Sequence, residues 1–194
     1  MKRLVFDIET SNIFADVGKN DPSLLDISVV GVYDSVTDTY VCYEQHEFNQ
    51  MWPVFENADI VIGFNSEHFD MPLLNKYYPG DLTKLHHIDI LKEIRASFGR
   101  RMKLDQLAQG TLGAKKSGHG LDAITWWRNG EKDKVKKYCL DDVRITKDIY
   151  DFARANNKLI FKEGGQKIEI PLNTSAWEVL PRTAETAMTF TLPF

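Results

Sequence analysis

Apolar and polar positions alternate at the start of the chain. Leu4, Phe6 and Ile8 fall on one side, Asp7 and Glu9 on the other, which predicts a strand over 4–9. Two β-branched or aromatic runs, 26–34 and 39–43, are set apart by turn residues and predict two more strands, together a meander. A helix is expected over 47–57. The short apolar run Asp59-Ile60-Val61-Ile62-Gly63-Phe64 then reads as a buried strand parallel to the first. A short helix over 70–78 tolerates Pro72 in its first turn, 86–90 is a further strand candidate, and the chain is largely helical from there to 153. Two alternating runs flank Gly164-Gly165 within 158–171, the pattern of a β-hairpin appended to the core. A meander followed by strands alternating with helices predicts an α/β fold, a mixed sheet flanked by helices.

Composition narrows the function classes. With 194 residues and 43% hydrophobic content the chain fits one compact unit, and no linker-like stretch divides it. Cys42 and Cys139 are too few for a disulfide framework and lack zinc spacing, so a reducing compartment is expected. The N-terminus acquires charge too early for a signal peptide, and no segment is long and apolar enough to span a bilayer, which leads us to expect a soluble cytoplasmic protein without membrane association. A net charge of −4 argues against coating a duplex through many phosphate contacts. Yet residues 92–116 hold seven cations against Glu93 and Asp105, a net +5 that leaves −9 for the remainder. That stretch is either a solvated surface or a guide for phosphates, with Arg100, Arg101, Lys115 and Lys116 as its candidate contacts.

Asp7 and Glu9, two apart on a strand, leave it on one face. On a covered strand they would be costly to bury side by side unless a cation or protons neutralised them. Taken alone, such a pair is more often the wet face of an edge strand. Asn65 follows the parallel strand, and Asp70 opens the next helix, which puts another carboxylate near the same sheet edge; a turn-forming Asn and a capping Asp are the plain alternatives. Tyr138 and Asp142, four apart on a predicted helix, share a face, although a core tyrosine beside an exposed aspartate has the same spacing.

The combination is more specific than its parts. Asp7-Ile8-Glu9-Thr10, then Gly63-Phe64-Asn65-x-x-x-Phe69-Asp70, then Tyr138-Cys139-x-x-Asp142 resemble, in order, the three exonuclease motifs of the DnaQ-like, or DEDD, superfamily, and the tyrosine resembles its DEDDy branch. The chain is also similar to proofreading domains of family B DNA polymerases and their stand-alone relatives. Residues 104–113, Gly120-Leu121 and Trp126-Trp127 further resemble the region before the third motif in bacterial and phage stand-alone exonucleases. The resemblance spans 2–155. It implies a ribonuclease H-like 3′-5′ exonuclease domain over 1–155, with 156–194 as an extension packed on it.

By that resemblance the enzyme uses two divalent ions, and oxygen-only donors favour Mg²⁺ or Mn²⁺ over zinc. Asp7, Glu9 and Asp142 would hold the ion that activates water, Asp7 would bridge to the second, and Asp70 would act through bound water. Tyr138, whose phenol has an unperturbed pKa of about 10, suits orienting that water better than deprotonating it. Ile13 and Phe14 would grip the terminal base, Thr10 would bind substrate beside them, and Asn65 would position substrate or the second motif. The implied partner is the 3′ end of single-stranded nucleic acid, DNA favoured over RNA. The alternatives are an RNA-trimming enzyme of the same motifs, or an inactive nucleic-acid-binding scaffold.

Other features carry less. Gly113-Ala-Lys-Lys-Ser-Gly118-His-Gly120 lacks the Gly-Lys-Ser/Thr of a phosphate loop. Of Trp126 and Trp127, adjacent on a helix, at least one is expected in the core rather than stacked on bases. His86 and His87 are expected to be structural, with Asp89 as their local hydrogen-bond partner.

Overall fold

The computed structural model describes residues 1–114 and 120–180. Five strands form one mixed sheet: β1 (Arg3–Thr10), β2 (Ile27–Asp34), β3 (Thr39–Glu44), β4 (Ile60–Gly63) and β5 (His87–Asp89), in the order β3-β2-β1-β4-β5. β1, β2 and β3 pair antiparallel, as the meander predicts, while β4 runs parallel to β1 and β5 parallel to β4. Among the described residues no helix is long and apolar enough to cross a membrane.

β1 is central, and its alternation sends side chains into two different cores. Leu4, Phe6 and Ile8 pack with Val30 and Val32 against α2 (Phe48–Glu56) and α3 (Asp70–Asn75). On the opposite face Val5, Tyr33, Ile60 and Ile62 pack against α7 (Lys132–Asn156). Both faces being covered, the strand is not the wet edge that a lone Asp-x-Glu so often marks. α7 buries Val135, Tyr138, Cys139, Asp142, Val143, Thr146, Ile149, Tyr150 and Ala153, a stripe at helical spacing. The short helix α1 (Phe14–Val17) follows β1. Between β5 and α7 lie α4 (Ile90–Phe98), α5 (Leu104–Leu107), a π-helical turn at Ala108–Leu112, and α6 (Gly120–Arg128).

Two boundaries differ from the sequence reading for local reasons. α3 stops at Asn75 instead of reaching 78, because Pro79 disfavours helical geometry in the residue before it and cannot donate to a continuing helix. The helical region after β5 is broken at Gly99, whose φ of 74° terminates α4.

The predicted hairpin is present as β6 (Lys158–Glu163) and β7 (Gln166–Pro171), a separate two-stranded sheet. Gly164 and Gly165, with φ of 57° and 80°, supply the two positive-φ residues of its tight turn. Leu159, Phe161 and Ile170 join Val143 and Tyr150 in the main core. Gly110 permits this docking, since a Cβ there would lie 2.3 Å from the Ile160 carbonyl oxygen. Thr111 Oγ1 completes the seam, donating to that oxygen at 2.8 Å and accepting from the Ile160 amide at 2.9 Å.

A candidate active site between the central strand and the long helix

Asp7 and Glu9 leave β1 on the face that α7 covers, opposite Gly31 and Val29 of β2. Gly31 sets how closely the helix approaches. A Cβ there would meet Cys139 Sγ at 2.8 Å and Val143 at 3.0 Å, so only glycine lets α7 settle this low. Cys139 Sγ thereby comes within 3.4 Å of the Asp7 carbonyl oxygen, and burial pushes its thiol pKa up. One turn along the helix, Asp142 is brought beside the strand acids. One carboxylate oxygen each from Asp7, Glu9 and Asp142 lie within 4.8 Å of one another. Glu9 is 7% exposed and Asp142 4%, with Asp7 half-buried.

Three carboxylates so close and so little hydrated repel one another strongly while all are ionised. The three could hold a divalent cation, which would relieve that conflict, and hard oxygen donors are consistent with Mg²⁺ or Mn²⁺.

Asp70, in the first turn of α3, is 4% exposed. Burial and the nearby Asp89 carboxylate push its pKa up to about 8, against the opposing pull of its own amide and that of Ile8. The Ile8 amide places Asp70 against β1 between Asp7 and Glu9 in sequence, but Asp70 does not belong to the three-carboxylate group. Tyr138 is 3% exposed and meets Trp126 edge to face, with ring centroids 5.9 Å apart. Both tryptophans are half-buried; Trp127 has Lys132 Nζ 4.9 Å from its ring centroid.

A cleft of about 600 Å³ opens over these groups. Asp7, Glu9, Tyr138 and Asp142 line it together with Thr10, Ile13 and Phe14, so seven of the sequence-selected residues share one cavity. Its apolar wall also includes Phe69, Leu121 and Ile124, which sequence reasoning left without a role. The signals existed: Phe69 adjoins Asp70 within the second motif, and Leu121 and Ile124 are three apart on α6. Phe69 meets Phe14 edge to face at 6.2 Å, joining the second motif to the loop after the first.

The other expected contacts lie elsewhere. Asn65 has a left-handed φ of 61°, and its Oδ1 accepts from Arg101 Nη2 at 2.8 Å in a neighbouring cleft. The adjacent Arg100 turns away and pairs with Glu163 of β6 at 2.8 Å. Lys115 and Lys116 lie outside the described residues. The role expected of Asp89 is corrected. Asp89 Oδ1 accepts from the amides of Asn65, Leu91 and Lys92, and its Oδ2 from that of Glu67. His87 instead pairs through Nε2 with Ser66 Oγ at 2.8 Å, and burial lowers its pKa. A carboxylate at the start of α4 caps that helix, and the loop after β4 folds onto it; neighbouring histidines in sequence gave no sign of this.

A family model described as RNase_H superfamily matches residues 4–154, and the chain belongs to that superfamily. Its fold is similar to that in the structure of the family B DNA polymerase from the hyperthermophilic archaeon Pyrobaculum calidifontis. The TM-score is 0.60 at 20% sequence identity, over 79% of this chain and 24% of the polymerase. The chain thus spans about a quarter of that polymerase's length. No curated protein matches it.

Proposed function

We propose that this member of the ribonuclease H superfamily is a 3′-to-5′ exonuclease of the DEDDy branch. It removes nucleoside 5′-monophosphates from single-stranded ends, preferably of DNA, by a two-metal mechanism. The observation that carries this reading is the meeting of Asp7, Glu9 and Asp142 from β1 and α7, with Tyr138 on the same cleft. Divalent ions held there would lower the pKa of a bound water and stabilise charge on the phosphoryl oxygens and the leaving 3′ oxygen.

The chain's own groups set the geometry around that chemistry. Asp7, Glu9 and Asp142 are the ligands, and Asp70, against β1 behind them, acts through water. The Tyr138 hydroxyl orients the attacking water. Ile13 and Phe14 hold the terminal base, with Phe69 buttressing Phe14; Thr10 positions the strand in the same cleft and Asn65 from the neighbouring one. Residues 1–155 carry the activity and the following extension braces α7. Cys42 and Cys139 are both free, which fits a cytoplasmic location.

Incubation with 3′- and 5′-labelled single-stranded DNA, RNA and circular single-stranded DNA, each with Mg²⁺, Mn²⁺ or chelator, tests the reading. Stepwise mononucleotide release from 3′ ends, abolished by chelator, is expected. Cleavage of closed circles at a comparable rate would sink it.

A further inference from the structure

A second cleft, of about 430 Å³, adjoins the first, and its lining is basic where that of the first is acidic. Lys92, Arg95 and Arg101 line it, with Glu67 and Asp89 as its acids. Asp89 is 5% exposed and its oxygens are taken by four backbone amides, so it offers little to a ligand. Glu67 pairs with Lys92 at 2.5 Å, but the two side chains are 54% and 61% exposed, and such a pair exchanges readily for a stronger anion. Arg95 is exposed and makes no ion pair among the described residues. Arg101 holds Asn65 Oδ1 with one nitrogen, leaving the rest of its guanidinium fork to another acceptor.

Placement gives this cleft its meaning. The segment between β4 and α3 is the wall between the two: Phe69 lines the acidic cleft, and Asn65, Glu67 and His68 line the basic one. The acidic cleft sits at the end of β1 and the basic one at the ends of β4 and β5, and β1 and β5 are two strand spacings, about 10 Å, apart. A stacked single strand rising ~3.4 Å per nucleotide covers that in roughly three nucleotides.

We propose that the cleft of Lys92, Arg95 and Arg101 is a phosphate-binding subsite that holds the nucleic-acid backbone a few nucleotides upstream of the 3′ end in the acidic cleft. Guanidinium forks match phosphate oxygens, and no base-specific recognition is needed. The subsite rests on the nuclease reading above and deepens it. It also divides the basic stretch: Arg101, Lys92 and Arg95 face the strand, while Arg100 serves the hairpin.

Binding of a labelled single strand of about ten nucleotides, measured in chelator across a range of salt concentrations, tests the subsite without turnover. The double variant Lys92→Ala/Arg95→Ala leaves the Asn65–Arg101 bond in place and changes only exposed side chains. Its dissociation constant should rise about 3- to 30-fold, alike for oligo-dT and oligo-dA, and its salt slope should flatten by about 0.7 for each phosphate that is no longer neutralised. Arg95→Glu should weaken binding further and Arg95→Lys should retain most of it. With metal added, KM should rise in the double variant while kcat stays within about twofold. An unchanged salt slope in the double variant overturns the subsite even if the protein proves to be an active nuclease. A flattened slope in a protein that hydrolyses nothing keeps the subsite and removes the nuclease reading.

Discussion

At the end of β5, Asp89 is 5% exposed and its carboxylate accepts four backbone amides from the β4–α3 loop and the start of α4. At the end of β1, two strands away on the same edge, Glu9 and Asp142 are buried to a similar degree, yet with Asp7 they bring carboxylate oxygens within 4.8 Å of one another. The first arrangement occupies a carboxyl group with the protein's own backbone donors. The second crowds three charges where a cation would relieve them. Burial is common to both, so burial alone does not separate a structural acid from a ligand; what surrounds the oxygens does.

The largest expected effect comes from removing one charge of the crowded group. Asp142→Asn keeps the shape of the side chain, and hydrolysis should fall by ~10³-fold or more, since one ligand of the catalytic ions is lost. In chelator the melting temperature of this variant should equal or exceed that of the wild type, because repulsion is relieved. Saturating Mg²⁺ should stabilise the wild type by about 2.7 kcal/mol at a concentration one hundred times its dissociation constant, and the variant by much less. Calorimetry with and without metal reads both. Equal metal-induced shifts in the two proteins would show that the group is no ligand set.

Asp89→Ala should act first on the fold. It removes the α4 cap and leaves the part-buried amides of Asn65 and Glu67 without their acceptor, for a loss of roughly 2 kcal/mol. Denaturant titration should show this loss, with Asp89→Asn intermediate. A variant as stable as the wild type would erase the contrast between the two strand ends.

Tyr138→Phe probes the rim of the crowded group without touching its charges. Turnover should drop by about 10- to 100-fold, the scale of one positioning hydroxyl, while the metal-induced rise in melting temperature persists. Wild-type turnover from pH 6 to 9 would assign Tyr138 to packing against Trp126 alone. Spacing of two on a strand and four on a helix is dictated by backbone geometry, so the shared face of Asp7 and Glu9, and that of Tyr138 and Asp142, were legible in the sequence, as was the hairpin at Gly164-Gly165. The role of Asp89 was not, because its partners Asn65 and Glu67 are more than twenty residues away. Nor was the opposite orientation of Arg100 and Arg101, decided by Glu163 and Asn65 in distant segments. Gly31, which admits α7 to the sheet, looks in sequence like any glycine in a strand.

A third acid shows a third solution, and there the smallest effect is expected. Glu44, 9% exposed at the end of β3, meets Lys132 Nζ at 2.6 Å and Lys136 Nζ at 2.7 Å, and so ties the first turns of α7 to the sheet. Hydrogen bonds from Lys132 and then Lys136 hold its carboxyl below the ordinary value of 4.5, against the opposing effect of burial. A depressed folded-state pKa means the unfolded chain takes up the proton first as pH falls. The stabilisation is therefore complete above about 4.5 and disappears as pH drops through the folded value. Because both lysines are substantially solvated, Glu44→Gln should cost only ~1 kcal/mol at neutral pH. Denaturant unfolding of the two proteins at pH 7 and at steps below 4.5 should show that difference shrinking as the acid protonates. A gap that stays constant across the acidic range would mean Glu44 contributes through shape and not charge, and that lysines from α7 do not treat a buried acid differently from a neutral amide.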